Sequence, residues 1–401
     1  MNHAELSGQS GGGKAHGGEV VVRPVRTRRE RRRFLTFPWE IYRNDPLWIP
    51  PLIPERMKVT NPNKGVFFER GTAAFFSAYR DTRMVGTICA ACDPAAIEQT
   101  GRKDCMFGFF ETTDDAVVAA ALFAAAERWA RDHGLTALVG PYNLDYEDGY
   151  GILTDGRDRP PVILCGHTPE YYQRIVEEAG FVPARAGNIA LAVDLTRPDP
   201  RVERIFRAAE IAQKRARFVV RGARLQQWED EAMRVHHLLN HSLDRSEEGG
   251  VPWPEEAVRD LVRPFLKIAD PDLVLFADVA AGPLAGRTVG WFAAVPNMNE
   301  ILTSANGLRY PWDYLSLLVA LRRRPKCLAA KSLLVLPEYH MSGVAALLFG
   351  EFYRRAREKG YAWIDLSLTS EKNPETPVIA ERAGAVRYKR YQVYRREILS
   401  A

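Results

Sequence analysis

The chain has 401 residues, 46% of them hydrophobic and 26% charged. It is too apolar for a disordered polypeptide and too polar for a membrane-embedded bundle. At roughly 100–200 residues per domain it has room for two or three domains. Lys plus Arg number 55 against 50 for Asp plus Glu, a formal charge of +5, which falls short of a dedicated nucleic-acid binder.

Met1 to Gly18 is rich in Gly and has no apolar h-region, so it reads as a disordered tail, neither signal peptide nor anchor. The run Arg23, Arg26, Arg28, Arg29, Arg31, Arg32, Arg33 follows and leads straight into an apolar helix, Phe34–Tyr42. Residues 23–33 hold seven Arg and one Glu, so the basicity is one local patch on an otherwise nearly neutral protein. Such a cluster suits a solvated helix turn or an anionic lipid surface better than a nucleic acid, which calls for interleaved aromatics.

Phe75–Tyr79 and Val85–Cys92 read as a hairpin about Asp81-Thr-Arg-Met84. Cys89 and Cys92 fall on opposite faces of its second strand, which argues against a metal or redox pair. The five cysteines, with Cys105, Cys165 and Cys327, are odd in number and scattered. A reducing cytoplasm and no disulfide framework are expected. The longest apolar run, Ala116–Ala126, is about half the length of a membrane-spanning helix.

The chain repeats itself. Ala119-Ala-Ala-Leu-Phe123, closed by Arg131-Asp-His-Gly134, returns as Ala345-Ala-Leu-Leu-Phe349, closed by Arg357-Glu-Lys-Gly360, at an offset of 226. Each is an amphipathic helix with a glycine stop, followed by an apolar strand, Leu135–Gly140 in the first copy and Tyr361–Leu368 in the second. The hairpin and the short helices ending Glu177-Glu-Ala-Gly180 and Glu381-Arg-Ala-Gly384 repeat at an offset of 204. Pro198–Arg217 reads as a connecting helix. Antiparallel hairpins mixed with βαβ crossovers predict an α/β (α+β) fold with mixed sheets and helices on both faces. The units are a tail 1–18, a module 19–196, a connector 197–217 and a module 218–401.

This element order, closing on Asn373 followed eleven residues later by Gly384, resembles the GNAT (GCN5-related N-acetyltransferase) fold, twice over. Several stretches also resemble a bacterial GNAT-like group that includes bacterial ceramide synthases. They are Phe37-Pro-Trp-Glu-Ile-Tyr42, Asp45-Pro-Leu-Trp-Ile-Pro-Pro51, Gly140-Pro-Tyr-Asn143, Asp155-Gly156 with Pro160-Pro161, Asp270-Pro-Asp-Leu-Val274 and Leu336-Pro-Glu-Tyr339. The resemblance implies acyl-CoA as a co-substrate, no permanently bound cofactor, no metal and an amine acceptor, among them a sphingoid-type amino alcohol.

The resemblance places coenzyme A where a strand turns into a helix, because a helix N-terminus offers unpaired amides and a positive dipole. In the second module that turn runs Val335, Leu336, Pro337, Glu338, Tyr339, His340, Met341, Ser342, Gly343, Val344, Ala345. Gly343 permits close approach and Ser342 can offer a hydroxyl, while His340 stands where the family pattern has Arg or Gln. The corresponding turn of the first module begins Asp114-Asp115 and has Val117 in place of Gly343. Two carboxylates repel a pyrophosphate, so the second module is expected to carry the acyl donor.

Acyl transfer to an amine needs a base, an acid for the thiolate and oxyanion donors. Strand alternation in Tyr361–Leu368 projects Asp365 and Ser367 to one side, making Asp365 a candidate base. The family's Tyr acid, seven residues after Asn373, is here Ala380, so Tyr388, Tyr391 or Ser370 must replace it; Glu338 and Glu371 are further base candidates. The extra loop of the first module, Pro141–His167, presents Asn143, Asp145, Tyr146, Glu147, Asp148 and Tyr150 to an amine-bearing substrate. The extra segment of the second, Pro311–Arg324, joins aromatics, an apolar body and a cationic end, and suits a packed helix, an acyl groove or a lipid interface. With no apolar span, the expected location is the cytoplasm, with peripheral contact to the inner membrane face. A degenerate acyl-CoA or lipid binder and a short-chain acetyltransferase are the rival functions.

Overall fold

The computed structural model describes residues 18–398 apart from 145–147, 198, 203, 206, 208–217, 243–252, 264–265, 267–268 and 374–375. The tail and most of the connecting helix expected at Pro198–Arg217 therefore lie outside the described residues.

Two mixed sheets carry the fold. Among the described residues fifteen strands run in chain order: β1 (Val20–Pro24), β2 (Thr72–Arg80), β3 (Arg83–Cys92), β4 (Asp104–Thr112), β5 (Ala137–Gly140), β6 (Ile152–Asp155), β7 (Val182–Pro183) and β8 (Asn188–Asp194) in the first half. The second half adds β9 (Phe218–Gly222), β10 (Val274–Val279), β11 (Thr288–Pro296), β12 (Cys327–Val335), β13 (Trp363–Ser370), β14 (Val386–Gln392) and β15 (Tyr394–Glu397). The first sheet has the order β1-β2-β3-β4-β5-β15-β7 and the second β6-β14-β8-β13-β12-β11-β10-β9. Only β4–β5 and β12–β13 are parallel pairs among those described.

The two halves trade their last strands. β8 of the first half pairs with β13 and β14 in the second sheet, and β15, at the chain end, pairs with β5 and β7 in the first. Each half is contiguous in sequence, but each sheet is completed by the other half, so neither core closes without both.

The repeat has a physical basis in packing. The helix Ala116–Asp132 lays Val118, Leu122, Phe123 and Ala126 on one face of the first sheet, and Val344–Glu358 lays Val344, Leu348 and Phe352 on the second. Gly86 and Gly290 make this approach possible. A Cβ on Gly86 would stand 2.7 Å from Leu122 Cδ1, and one on Gly290 would stand 2.8 Å from Val344 Cγ1. The opposite faces are covered by Arg28–Thr36 in the first half and by Trp228–Ser242 in the second. Alternation holds in β3: Cys89 is buried on one face, Cys92 half-buried on the other, and all five thiols are free.

Candidate functional site

Both fourth strands carry a bulge beside the parallel strand, and both diverge from it there. In the second sheet Cys327, Leu328, Ala329 and Ala330 face Trp363, Ile364, Asp365 and Leu366, after which pairing stops. Against β11 the register jumps from Ser332 to Ala330, which leaves Lys331 as the extra residue. A bulge bends the strand and re-aims its side chain. Lys331 turns away from the ladder and donates to the Ile163 carbonyl at 2.8 Å, on the long loop of the first half.

A cavity of about 1480 Å³ opens at this divergence. Its apolar limb lies between the second sheet and Trp228–Ser242 and is lined by Phe276, Trp291, Ala293, Leu334, Val235 and Leu239. Its polar neck holds Lys331, Ser332, Ser367 and Asn373, and its far side is built by the first half through Tyr142, Tyr150, Cys165 and Arg185.

Under the neck lies a carboxylate. Asp365 is fully buried, Ser367 is 8% exposed, and the Ser367 hydroxyl donates to Asp365 Oδ2. The Tyr388 hydroxyl donates to Oδ1 at 2.7 Å, and the Cys165 sulfur lies 3.4 Å from Ser367 Oγ. Burial pushes the Asp365 carboxyl above the usual carboxylate range, against the pull of Lys331 and the two hydroxyls. Burial likewise raises the Tyr388 phenol, with the Asp365 charge adding to it. The neighbouring Lys389 is almost fully buried, donates to the carbonyls of Gly156 and Arg159, and is pushed down to about 8 by burial. Both Asp365 oxygens are thus occupied, and among these groups Ser367 and Cys165 are the ones that reach the cavity wall.

Asp365 and Ser367, expected on one side of Tyr361–Leu368, do lie together, and Tyr388 reaches the same carboxylate from β14. Ala380 is buried in the core, as a position with no acid role would be. Tyr391 is buried with its hydroxyl on the Gly166 carbonyl at 3.1 Å. Ser370 Oγ accepts from Lys372 N at 3.3 Å at the cavity rim. Glu338 is held by Arg287 at 3.0 Å and Glu371 by Arg390 at 2.8 Å, an ion pair that lowers its pKa. Neither lines the cavity.

At the turn after β12, Pro337–Ser342 forms a 3-10 segment and Gly343 sits at φ +85°, a left-handed conformation suited to glycine. No side chain caps the helix that begins at Val344. His340 Nε2 is 3.0 Å from the Val335 carbonyl, so the ring is tied to its own loop. The Ser342 hydroxyl, expected as a free donor, donates to the Tyr339 carbonyl at 2.6 Å instead. Asn373 Oδ1 accepts from Thr376 N at 2.9 Å, ahead of the helix Thr376–Arg382. Val335, Leu336 and Val344 are buried in the core that fixes this turn, and Ala345 packs beside them; of Met341 only its place in the 3-10 segment is described.

The loop of the first half is rebuilt by the structure. Asp145, Tyr146 and Glu147 lie outside the described residues. Asn143 is bonded within the fold: its Oδ1 accepts from Phe109 N at 2.8 Å, and its backbone N–H goes to the Asp148 carbonyl. Asp148 is paired with Arg56. Tyr150 is buried, packs edge-on to Tyr142 at 5.8 Å and has Arg185 over its ring, with its edge on the cavity. Sequence reading missed Lys331 and Cys165. Lys331 carried a faint signal, a charge inside an otherwise apolar strand; Cys165 carried none, because it is brought in from the other half.

Among the described residues no helix is long and apolar enough to cross a membrane, and no group of three His, Cys, Asp or Glu is arranged to hold a metal. No family model matches the chain. It is 31% identical over 392 residues to the bacterial ceramide synthase of Caulobacter vibrioides, covering 95% of this chain and 98% of that protein. It is 28% identical over 391 residues to protein YghO of Escherichia coli, covering 94% and 95%. Among solved structures, a tandem GNAT protein from the clavulanic acid biosynthesis pathway superposes with a TM-score of 0.58 at 12% identity, over 96% of this chain and all of that one. A GCN5-related N-acetyltransferase from Sphaerobacter thermophilus gives 0.52 at 14% identity, over 95% and 96%. The chain belongs to the family of tandem GNAT-fold proteins that contains the bacterial ceramide synthase of Caulobacter.

Proposed function

We propose that the protein is an N-acyltransferase that takes an acyl group from acyl-CoA in its second module and passes it to an amine, with a long-chain acyl group and a sphingoid-type amino alcohol as the substrate pair. The observation that carries this reading is the cavity at the divergence of β12 and β13: it is large, apolar along one limb, and has a buried carboxylate under its neck. Its volume exceeds the several hundred Å³ usual for small-ligand pockets, which supports a lipid chain over a bare acetyl group. The name of the Caulobacter relative agrees; in this reading the protein works in peripheral contact with an anionic membrane, where such an amine is met.

In this reading the pyrophosphate of CoA lies on the uncapped amides at Gly343–Ala345, and Asn373, on the cavity rim, lies along the donor. The acceptor ammonium loses a proton to the Ser367 hydroxyl as that hydroxyl hands its own to Asp365, which receives the charge without touching the substrate. The free amine attacks the thioester carbonyl. The Lys331 ammonium, beside the divergence, stabilises the tetrahedral oxyanion. Collapse of that intermediate breaks the C–S bond; Asp365, which took the first proton, returns it through Ser367 to the departing thiolate while Tyr388 holds its other oxygen, and the second proton of the amine leaves to solvent as the amide forms. Thiol release from acyl-CoAs of graded length in the presence of a long-chain amino alcohol tests this. Palmitoyl-CoA should be used faster than acetyl-CoA; preference for acetyl-CoA selects the short-chain reading, and CoA binding with no amine-dependent release selects a binding protein.

A further inference from the structure

The helix Asp313–Ala320 is built inside out. Its inward face presents Asp313, 4% exposed, and Ala320, 1% exposed, two turns apart with the half-buried Leu317 between them. Its outward face presents Leu315, 66% exposed, Leu318, 62%, and Val319, 58%, continued by Trp312, 62%, Tyr314 and Leu321. The buried carboxylate is not stranded: Asp313 Oδ2 accepts from Tyr310 N at 2.8 Å and from Asn306 Nδ2 at 3.3 Å. These bonds fix the helix in this orientation, so the apolar face cannot roll inward without breaking them. An exposed, contiguous apolar face of this kind marks an interaction site.

Tertiary structure sets this face beside the basic run. Arg32 donates to the Arg309 carbonyl at 2.8 Å, the Trp39 indole donates to Asn306 Oδ1 at 2.7 Å, and the Arg309 guanidinium stacks over the Trp39 and Tyr310 rings. Gly307 lies so close that a Cβ there would meet Trp39 and the Pro51 carbonyl. The helix Arg28–Thr36, with Arg28, Arg29, Arg32 and Arg33 exposed, therefore flanks one end of the apolar helix, and Arg322, Arg323 and Arg324, all exposed, close the other. Among the described residues none of these last three pairs with a carboxylate.

We propose that this surface docks the protein on a bilayer carrying anionic lipid headgroups. The aromatic and aliphatic side chains of Trp312–Leu321 enter the headgroup–acyl boundary, and the two arginine clusters meet the phosphates on either side. Eight residues of helix measure about 12 Å, too short to span about 30 Å of hydrocarbon, so the segment lies in the interface. A soluble partner or a second copy of the chain would not call for cations at both ends of the apolar face. The same insertion runs directly into β12, which carries Lys331, so docking places the catalytic strand next to the lipid phase. The inference deepens the lipid-substrate reading but does not depend on turnover.

The test is co-sedimentation of the full chain with vesicles of phosphatidylcholine alone and with phosphatidylglycerol added at one part in four, at 0.1 and 0.5 M NaCl. Binding to the anionic vesicles, weakened by salt, is expected. Leu315→Glu with Leu318→Glu should lower the partition coefficient at least tenfold, and Arg322→Gln, Arg323→Gln and Arg324→Gln together by roughly a hundredfold, with the far-ultraviolet circular dichroism unchanged. No binding to anionic vesicles, equal binding by the glutamate variant, or a concentration-dependent dimer that those glutamates abolish would each overturn the proposal. Thiol release with a water-soluble amine is read in parallel, so that failure of docking is separated from failure of acyl transfer.

Discussion

At the start of Ala116–Asp132 the Asp115 carboxylate accepts from the amides of Val117 and Val118 at 2.9 and 3.3 Å and pairs with Arg80 at 2.8 Å. At the start of Val344–Glu358 no side chain takes those places, and Gly343 holds a left-handed turn instead. A second difference lies one strand away. Where β4 leaves β5, the chain's own Pro141–Asn143 fills the gap: Tyr142 N donates to the Phe107 carbonyl at 2.8 Å, Asn143 takes the Phe109 amide, and Tyr142 O lies 1.5 Å from where a Cβ on Gly108 would stand. Where β12 leaves β13, the gap opens into the cavity. One module thus satisfies its helix amides and bulge from within; in the other no side chain caps the helix and a cavity opens beside the bulge. An anion site needs unspent donors, so the same architecture serves as scaffold in one copy and as candidate site in the other.

The largest effect that would break this contrast is expected at Asp365. Asp365→Asn should lower amine-dependent thiol release by about 10²–10⁴-fold. The wild-type rate should fall as pH drops through the raised pKa of Asp365, and the residual rate of the variant should not follow that profile. The folded carboxyl holds its proton more tightly than the unfolded one, so wild-type stability declines as pH rises through that pKa. The melting temperature of the variant at pH 8 should therefore not be lower than wild type; a large loss of stability would mark Asp365 as structural.

Next comes Gly343→Val, which writes the residue of the first module into the second. A branched side chain is strained at φ +85° and covers the amides, so the CoA dissociation constant should rise at least tenfold, about 1.4 kcal/mol, by titration calorimetry. Wild type should bind one CoA per chain; two would refute the assignment of the site to one module.

Two smaller effects should fall on stability. Asn143→Ala leaves the Phe109 amide without its acceptor and should cost about 1–3 kcal/mol in urea denaturation, with turnover within about twofold of wild type. A raised KM for the amine at unchanged stability would return Asn143 to the substrate site. Asp115→Ala removes a cap and should cost about 1 kcal/mol, leaving CoA affinity unchanged.

The repeat, the two hairpins, the paired helices and the parity of Asp365 and Ser367 were legible because they are local. Period 2 and period 3.6 decide which side chains share a face, and the capping contrast between Asp114-Asp115 and Gly343 is written in a few adjacent residues. The strand exchange was not legible, because β8 and β15 are short strands whose partners lie more than 100 residues away, and pairing energy carries no label of which sheet receives it. Nor was the internal bond of Asn143 legible, since only the packed bulge at Phe109 shows that its side-chain oxygen is taken by a backbone amide. The sequence by itself determined two copies of one architecture and which copy caps its long helix with a carboxylate. Only the tertiary structure decided that the cavity is built from both copies, that Lys331 and Cys165 belong to it, and that the apolar face of Asp313–Ala320 points outward beside the arginines, because burial and long-range contact are properties of the packed chain and not of its local pattern.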